Sequence, residues 1–269
     1  MKKLLVFTVL LTIAFTGCKK DSSEPVAPPT GGGGTTTLTV QKKNRALLMD
    51  FTATWCGPCG QYGGPAFDGT LVQEGLTIAP MKLYATSSTP SSMGHPFYSA
   101  MSSAFGISGI PSFRLNNASV STSTNAAINA AATFQNDTSK LIAGVALSKV
   151  IEGDSIKVKT KIKFFKSQNA GSDYKIALYV VEDNIISPQL VGSTTNNTYD
   201  HRNILRASNS STYSGVSFNS SAAILVNQEF DKTYSIYLNP AWNKANLKVI
   251  ATIWKGGTTP TVINSNISK

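Results

Sequence analysis

Two of the chain's three cysteines, Cys56 and Cys59, stand two residues apart just after a short apolar run. That run, Ala46-Leu47-Leu48-Met49-Asp50-Phe51, has the unbroken apolar character of a central strand, interrupted by one acid. Thr52-Ala53-Thr54-Trp55 then leads into Cys56-Gly57-Pro58-Cys59. Two thiols at this spacing on the first turn of a helix lie within disulfide reach. The helix N-terminus favours the thiolate of the first, which lowers its pKa and makes it a nucleophile. Pro58 suits that turn, where its missing N–H would have no partner anyway. A bare CxxC also fits half a zinc site or c-type haem attachment. With only His95 and His201 elsewhere, neither a four-ligand zinc site nor a disulfide-rich scaffold is expected, and haem attachment needs a histidine where Gly60 stands. No cofactor and no metal is expected.

The first residues explain the third cysteine. Met1-Lys2-Lys3 is followed by an apolar run from Leu4 to Phe15, too short for a membrane span, which needs about 20 apolar residues. It reads as a secretory signal over residues 1–17. Ala14-Phe15-Thr16-Gly17-Cys18 resembles the lipobox of bacterial lipoproteins, with Phe15 in place of the usual leucine, and implies acylation of Cys18. The competing reading is an ordinary cleaved signal with an incidental cysteine. Residues 18–37, with Pro25, Pro28, Pro29 and the Gly31–Gly34 run, cannot bury enough surface to fold and form a flexible tether of roughly 25 Å. The net charge of +10 invites a nucleic-acid partner, but export and a membrane anchor argue against DNA and RNA. The expected location is the cell envelope, as an outer-membrane lipoprotein facing the periplasm or the cell surface.

At 269 residues the chain has room for two domains. Residues 39–138 carry five bases and four acids, for +1; residues 139–269 carry fifteen bases and eight acids, for +7. The pattern changes with the charge, from glycine-punctuated helix and strand signals to long alternating stretches. A boundary is expected near Asp137–Lys140, between domains at 38–138 and 139–269.

Met49-Asp50-Phe51-Thr52-Ala53-Thr54-Trp55-Cys56-Gly57-Pro58-Cys59 resembles the thioredoxin active site. Phe105-Gly106-Ile107-Ser108-Gly109-Ile110-Pro111-Ser112 resembles the same family's second signature, which carries a cis-proline. The resemblance implies an α/β thioredoxin fold for 38–138. It also implies that Cys56 attacks a target disulfide and Cys59 resolves the mixed disulfide, that Asp50 takes the proton from Cys59, and that Trp55 shields the sulfur. Pro111 would align the backbone of Ile110 with an extended substrate. A salt-bridged structural acid at Asp50 and a packing role for Trp55 are the alternatives. Gly60-Gln61-Tyr62-Gly63-Gly64-Pro65 departs from the family and predicts a weak or irregular helix, since each interior glycine costs about 1 kcal/mol. Ala85–Phe97 is a long Ser/Thr/Pro connection, in which His95 reads as a loop histidine.

Ser155–Phe164 alternates cleanly, with Ile156, Val158, Thr160, Ile162 and Phe164 on one face and four lysines on the other. Further strand-like runs at Leu141–Lys149, Tyr174–Glu182, Ala222–Phe230, Tyr234–Leu238, Leu247–Trp254 and Thr261–Ile267 favour an all-β, immunoglobulin-like two-sheet sandwich. The lysine face suits phosphate-rich headgroups or polysaccharide, or else is a solvated face guarding a sheet edge. Residues 138–269 resemble the C-terminal domain of the outer-membrane-protein-twenty-eight family of lipoproteins, on a Glu182-Asp183-x-Ile185…Gln189 segment followed by His201…Leu205-Arg206. Glu182, His201 and Arg206 are candidate binding residues; the alternative is that Glu182 or Asp183 pairs with Arg202 or Arg206 to pin an irregular stretch to the sheet. Two function classes remain: a membrane-anchored thiol–disulfide oxidoreductase whose partners are extracytoplasmic protein thiols or disulfides, and a binding or adhesion lipoprotein whose CxxC is structural.

Overall fold

The computed structural model describes residues 37–268; the expected signal segment, the expected lipidation at Cys18 and nearly all of the expected tether lie outside the described residues. Leu38–Lys269 forms one compact unit. Its first strand, β1 (Ala46–Thr52), is buried along its whole length, as its apolar run demands. The chain then passes through a helix with a π turn at Cys59–Gly63 and an α segment, α1 (Gly64–Thr70). Next come β2 (Ile78–Tyr84), α2 (Phe97–Ala104), β3 (Ser112–Leu115), β4 (Ala118–Val120) and α3 (Thr124–Asn136). β1 pairs with β2 in parallel and with β3 antiparallel, and β4 completes a hairpin turned by Asn116 at positive φ.

The second half is β-rich. It comprises β5 (Ala143–Glu152), β6 (Ser155–Phe164), β7 (Tyr174–Glu182), β8 (Ile185–Val191), β9 (Thr194–His201), β10 (Ile204–Ser208), β11 (Val216–Ser217), β12 (Glu229–Tyr237), β13 (Leu247–Lys255) and β14 (Thr261–Ser268). Two expectations change here. The irregular stretch after Glu182 is a long hairpin, β8–β9, hidden from sequence reading because β9 is almost wholly polar and exposed. Residues 222–228 form no strand, since Ser221 and Asn227 sit at positive φ; the strand starts at Glu229 and runs unbroken to Tyr237.

The strands do not separate into two sets at Asp137–Lys140. A nine-stranded sheet runs β14-β13-β7-β10-β2-β1-β3-β4, with β11 beside β7. The seam is the pair β10–β2, where the Lys82 N–H donates to the Asn203 carbonyl at 2.8 Å. The sheet curls until β14 returns to the start of β1, with the Ser265 N–H bonded to the Arg45 carbonyl at 2.9 Å. Inside this curl Met49, Phe51 and Met81 pack with Tyr179, Ile250 and Trp254 around α2, and Trp254 stacks on Phe105. On the other face α1 and α3 cover Leu48, Ile78 and Phe113, while the three-stranded sheet β12-β6-β5 covers Ile176, Leu178 and Val249. That second layer is sandwich-like, but its partner sheet is shared with the first half. β6 is the middle strand of the small sheet, so its lysines guard no edge. They meet cross-strand and neighbouring acids: Lys161 and Lys163 each lie 3.1 Å from Glu229, and Lys157 pairs with Glu152. Among the described residues no helix is long and apolar enough to cross a membrane.

The seam is held by polar groups as well as by backbone. Asn203 is fully buried at positive φ, and its amide donates to the Glu74 carboxylate at 2.7 Å and to the Pro80 carbonyl at 3.1 Å. Lys248 reaches the same cluster, 3.0 Å from Glu74 and 2.9 Å from Asp183. Asn203→Ala strands these groups and is expected to lower stability by about 3 kcal/mol. Urea unfolding of residues 38–269 followed by fluorescence and circular dichroism should show one coincident transition in both proteins; two separate transitions would contradict a shared sheet.

Candidate functional site

β1 ends at Thr52, and Ala53-Thr54-Trp55 carry the chain to Cys56, where the helix begins. Cys56 and Cys59 form a disulfide with their Cα atoms 5.2 Å apart. The Cys59 N–H points at the Cys56 sulfur at 3.2 Å, and that sulfur lies 3.8 Å from the Ile110 carbonyl oxygen, next to the cis Ile110–Pro111 peptide. Ala53, Ala85, Tyr98 and Ile110 enclose the bridge in an apolar patch, leaving Cys56 6% and Cys59 2% exposed.

The helix is irregular, as its glycines predict. The Gly64 N–H bonds five residues back to the Cys59 carbonyl, and Pro65, which has no N–H, leaves the normal ladder incomplete. The glycines also have a positive role. A Cβ on Gly63 would stand 2.6 Å from the Pro111 ring, and side chains at Gly57, Gly60 or Gly64 would overlap Gly192, Leu190 or Tyr199. Backbone contact is what they permit. Leu190 N–H donates to the Thr54 carbonyl at 2.8 Å and Gly192 N–H to the Gly57 carbonyl at 3.0 Å. The Gln189 amide donates to the carbonyls of Ala53 and Cys56 at 3.2 and 3.1 Å. The hairpin β8–β9 is thus bonded to the backbone on either side of Cys56.

On β1, six residues before Cys56, Asp50 is fully buried with no hydrogen-bond partner on either carboxylate oxygen, and its charge acts on Tyr98, which packs against the bridge. Burial lifts the Asp50 pKa to about 7 against the pull of Lys82, and Asp68 adds to the rise. Lys82 faces Asp50 across the β1–β2 pair and is itself 1% exposed, ion-paired to Asp68 at 2.9 Å and 4.8 Å above the Phe67 ring. Sequence reading passed over this residue. Its signal was a lone lysine in the strand Ile78-Ala79-Pro80-Met81-Lys82-Leu83-Tyr84.

Trp55 is 53% exposed, and its indole N–H donates to Ser87 Oγ at 3.1 Å. It lines an open groove of about 550 Å³ together with Pro90, Pro188, Gln189 and Leu190. Cys56, Cys59, Ile110 and Pro111 therefore come together at the bridge, while Trp55 borders the groove and Asp50 is buried on β1. The other three candidates sit at the root of the hairpin with internal partners. His201 is fully buried, its Nδ1 2.6 Å from the Tyr84 hydroxyl and its Nε2 3.1 Å from the Ser187 carbonyl. Burial, then Lys82, push its pKa down to about 4, so the ring is neutral. Arg206 lies 3.0 Å from Glu182, though not aligned as a hydrogen bond, and donates to the Ser92 carbonyl at 2.6 Å. Arg202 pairs with Asp183 at 2.5 Å. Burial works against the Asp183 charge, yet bonds from Arg202 and Lys248 outweigh it and hold its pKa near about 2. His95 accepts from the Phe97 N–H at 3.1 Å within its loop. Among the described residues no group of three or more His, Cys, Asp or Glu is placed to hold a metal.

The Asp50 carboxyl makes stability depend on pH. In the unfolded chain it titrates near 3.8 and in the fold near about 7, so the folded state keeps a proton that the unfolded state releases between those values. Stability from this group is present below the lower value and lost as pH rises through the window, on the order of 4 kcal/mol for a three-unit gap. Asp50→Asn removes that dependence. Urea titrations of the oxidised proteins should show the variant more stable by a few kcal/mol at about pH 8 and the two converging at about pH 4. A gap independent of pH would mean that the carboxyl is not buried as described.

A family model for outer membrane protein Omp28 matches residues 98–268. No curated protein matches the chain. Among solved structures, HBP35 of Porphyromonas gingivalis aligns with a TM-score of 0.66 at 18% identity, covering 84% of this chain and 75% of its own, a likeness of fold. Spo0M, a sporulation control protein from Bacillus subtilis, reaches a TM-score of only 0.29 at 14% identity over 47% of each chain, too low to equate the folds. With the family match spanning most of the described residues, the chain belongs to the outer membrane protein Omp28 family and is a protein of the cell envelope at the outer membrane.

Proposed function

We propose that the protein is a thiol–disulfide oxidoreductase of the cell envelope, with a thioredoxin-like first half and a lipid anchor on Cys18, acting on extracytoplasmic protein thiols or disulfides. The observation that carries this reading is the placement of the Cys56–Cys59 bridge. It lies against the Ile110 carbonyl beside the cis peptide of Pro111, in an apolar patch with Tyr98, on which the charge of the buried Asp50 acts. A purely structural bridge has no use for a carboxyl whose pKa sits near about 7, where a proton can be taken up and released at envelope pH.

In the reducing direction the Cys56 thiolate, favoured by the Cys59 N–H at 3.2 Å, attacks one sulfur of a substrate disulfide. A Cys56–substrate bond forms, the substrate S–S bond breaks and one substrate thiolate leaves. Cys59 then gives its proton to the Asp50 carboxylate and attacks the Cys56 sulfur. The Cys56–Cys59 bond forms and the second substrate thiolate is released, two electrons having passed from the dithiol to the substrate. The reverse sequence oxidises a substrate dithiol. Reduction in repeated cycles needs an external dithiol donor, oxidation an external disulfide acceptor. The groove beside Trp55 is the surface available to the polypeptide that flanks the reacting cysteine.

The second reading is a binding or adhesion lipoprotein with a structural bridge. It draws on the 6% exposure of Cys56 and on the hairpin bonded around it. A redox titration with an insulin-reduction assay on residues 38–269 separates the two. The oxidoreductase should titrate between about −270 and −120 mV and turn over insulin, with Cys56→Ser inactive and Cys59→Ser accumulating a mixed disulfide. A potential below about −300 mV with no turnover and no trapped partner would leave the structural bridge standing.

A further inference from the structure

The loop before β12 presents a feature that neither the disulfide site nor the core uses. Leu225 and Val226 are 70% and 52% exposed, although the turn that carries them is tightly held. The Leu225 N–H donates to Gln228 Oε1 at 2.8 Å, the Val226 N–H to Ser167 Oγ at 3.1 Å, the Asn227 N–H to the Phe164 carbonyl at 2.8 Å and the Gln228 N–H to the Leu225 carbonyl at 3.1 Å. Two adjacent aliphatic side chains are therefore held out in water by an ordered backbone. Below them is an open recess lined by Val40, Lys42, Lys163, Phe165, Val226 and Asn227.

Two further observations say what covers this face. The first is connectivity. The segment Thr37–Lys43 joins the described fold to everything N-terminal of it, and Val40 and Lys42 of that segment line the same recess. On the proposed lipidation of Cys18, the anchored end of the chain joins the fold through this segment, so that the recess lies close in sequence to the anchor. The second is charge. Lys42 is exposed and has no carboxylate partner among the described residues, and the exposed Lys166 donates to the carbonyls of Thr138 and Ser139 rather than to an acid. Lys163, by contrast, is neutralised by Glu229. Aliphatic side chains projecting from a rigid turn beside unpaired cations suit a surface that is anionic outside and apolar just beneath.

We propose that the Leu225–Gln228 turn, with Lys42 and Lys166, rests on an anionic lipid bilayer and orients the fold on the membrane. The inference uses the tethered reading of Cys18 for direction and is independent of the redox reading. The test uses residues 38–269, which hold all three large cores in one compact unit, mixed with vesicles of phosphatidylglycerol and phosphatidylcholine and sedimented. The fragment should pellet with the mixed vesicles at low salt and not with phosphatidylcholine alone. Leu225→Ser with Val226→Ser should partition about tenfold less, from the loss of two apolar side chains at the interface. Lys42→Glu with Lys166→Glu should lose the anionic preference, while Ile186→Ser, an exposed apolar control on β8, should behave as wild type. Failure of the wild-type fragment to pellet, equal pelleting with uncharged vesicles, or a Leu225/Val226 variant that pellets like wild type would each overturn the proposal.

Discussion

Lys82 is where the demands on this fold meet. Its strand is apolar and buried, so an ammonium there must be fully paired or lost, since an isolated buried charge costs several kcal/mol. The pairing comes from Asp68 on α1, with the Phe67 ring beneath. On the neighbouring strand the same charge faces Asp50 and limits how far burial raises that carboxyl. The Lys82 backbone N–H meanwhile bonds to Asn203, the contact that brings β10 alongside β2 and makes one sheet of two sequence halves. The setting of the Asp50 carboxyl and the continuity of the fold thus share one residue.

The hairpin β8–β9 is the second organising element. It reaches from the β-rich half onto the helix that bears the disulfide, and it does so through backbone atoms, which is why that helix is written in glycine. Intrinsic helix stability is given up for close approach, and the hydrogen bonds of Leu190, Gly192 and Gln189 offset part of the loss. At the hairpin's root the pairs Asp183–Arg202, Glu182–Arg206 and Tyr84–His201 fix its angle to the sheet. In the described structure these residues are one another's partners at the point where the hairpin leaves the sheet.

Local chemistry was legible in the sequence and long-range pairing was not. The buried run Ala46–Phe51, the strand Ser112–Leu115 and the alternation of Ser155–Phe164 carry their periodicity openly, and all three are strands. The CxxC pair announced its own bridge. The role of Gly57, Gly60 and Gly64 was unreadable, because what they accommodate lies more than a hundred residues away in the chain. Nothing local marks Asn203 and Lys248 as seam residues for the same reason: their partners are set by sheet order, which no local pattern encodes. β9 was missed on different grounds. It buries little, so no hydrophobic alternation marks Thr194-Thr195-Asn196-Asn197-Thr198 as a strand, and the two asparagines offset the β-propensity of the threonines.

Strand order also has a consequence for how the chain is made. The N-terminal strands leave an export channel first, and β2 then carries a bare parallel edge until β10 arrives, some 120 residues later in the sequence. An apolar strand with one unpaired flank is a template for wrong partners, including the same strand of another nascent molecule. The span between β2 and β10 therefore sets how long that edge waits for its own partner.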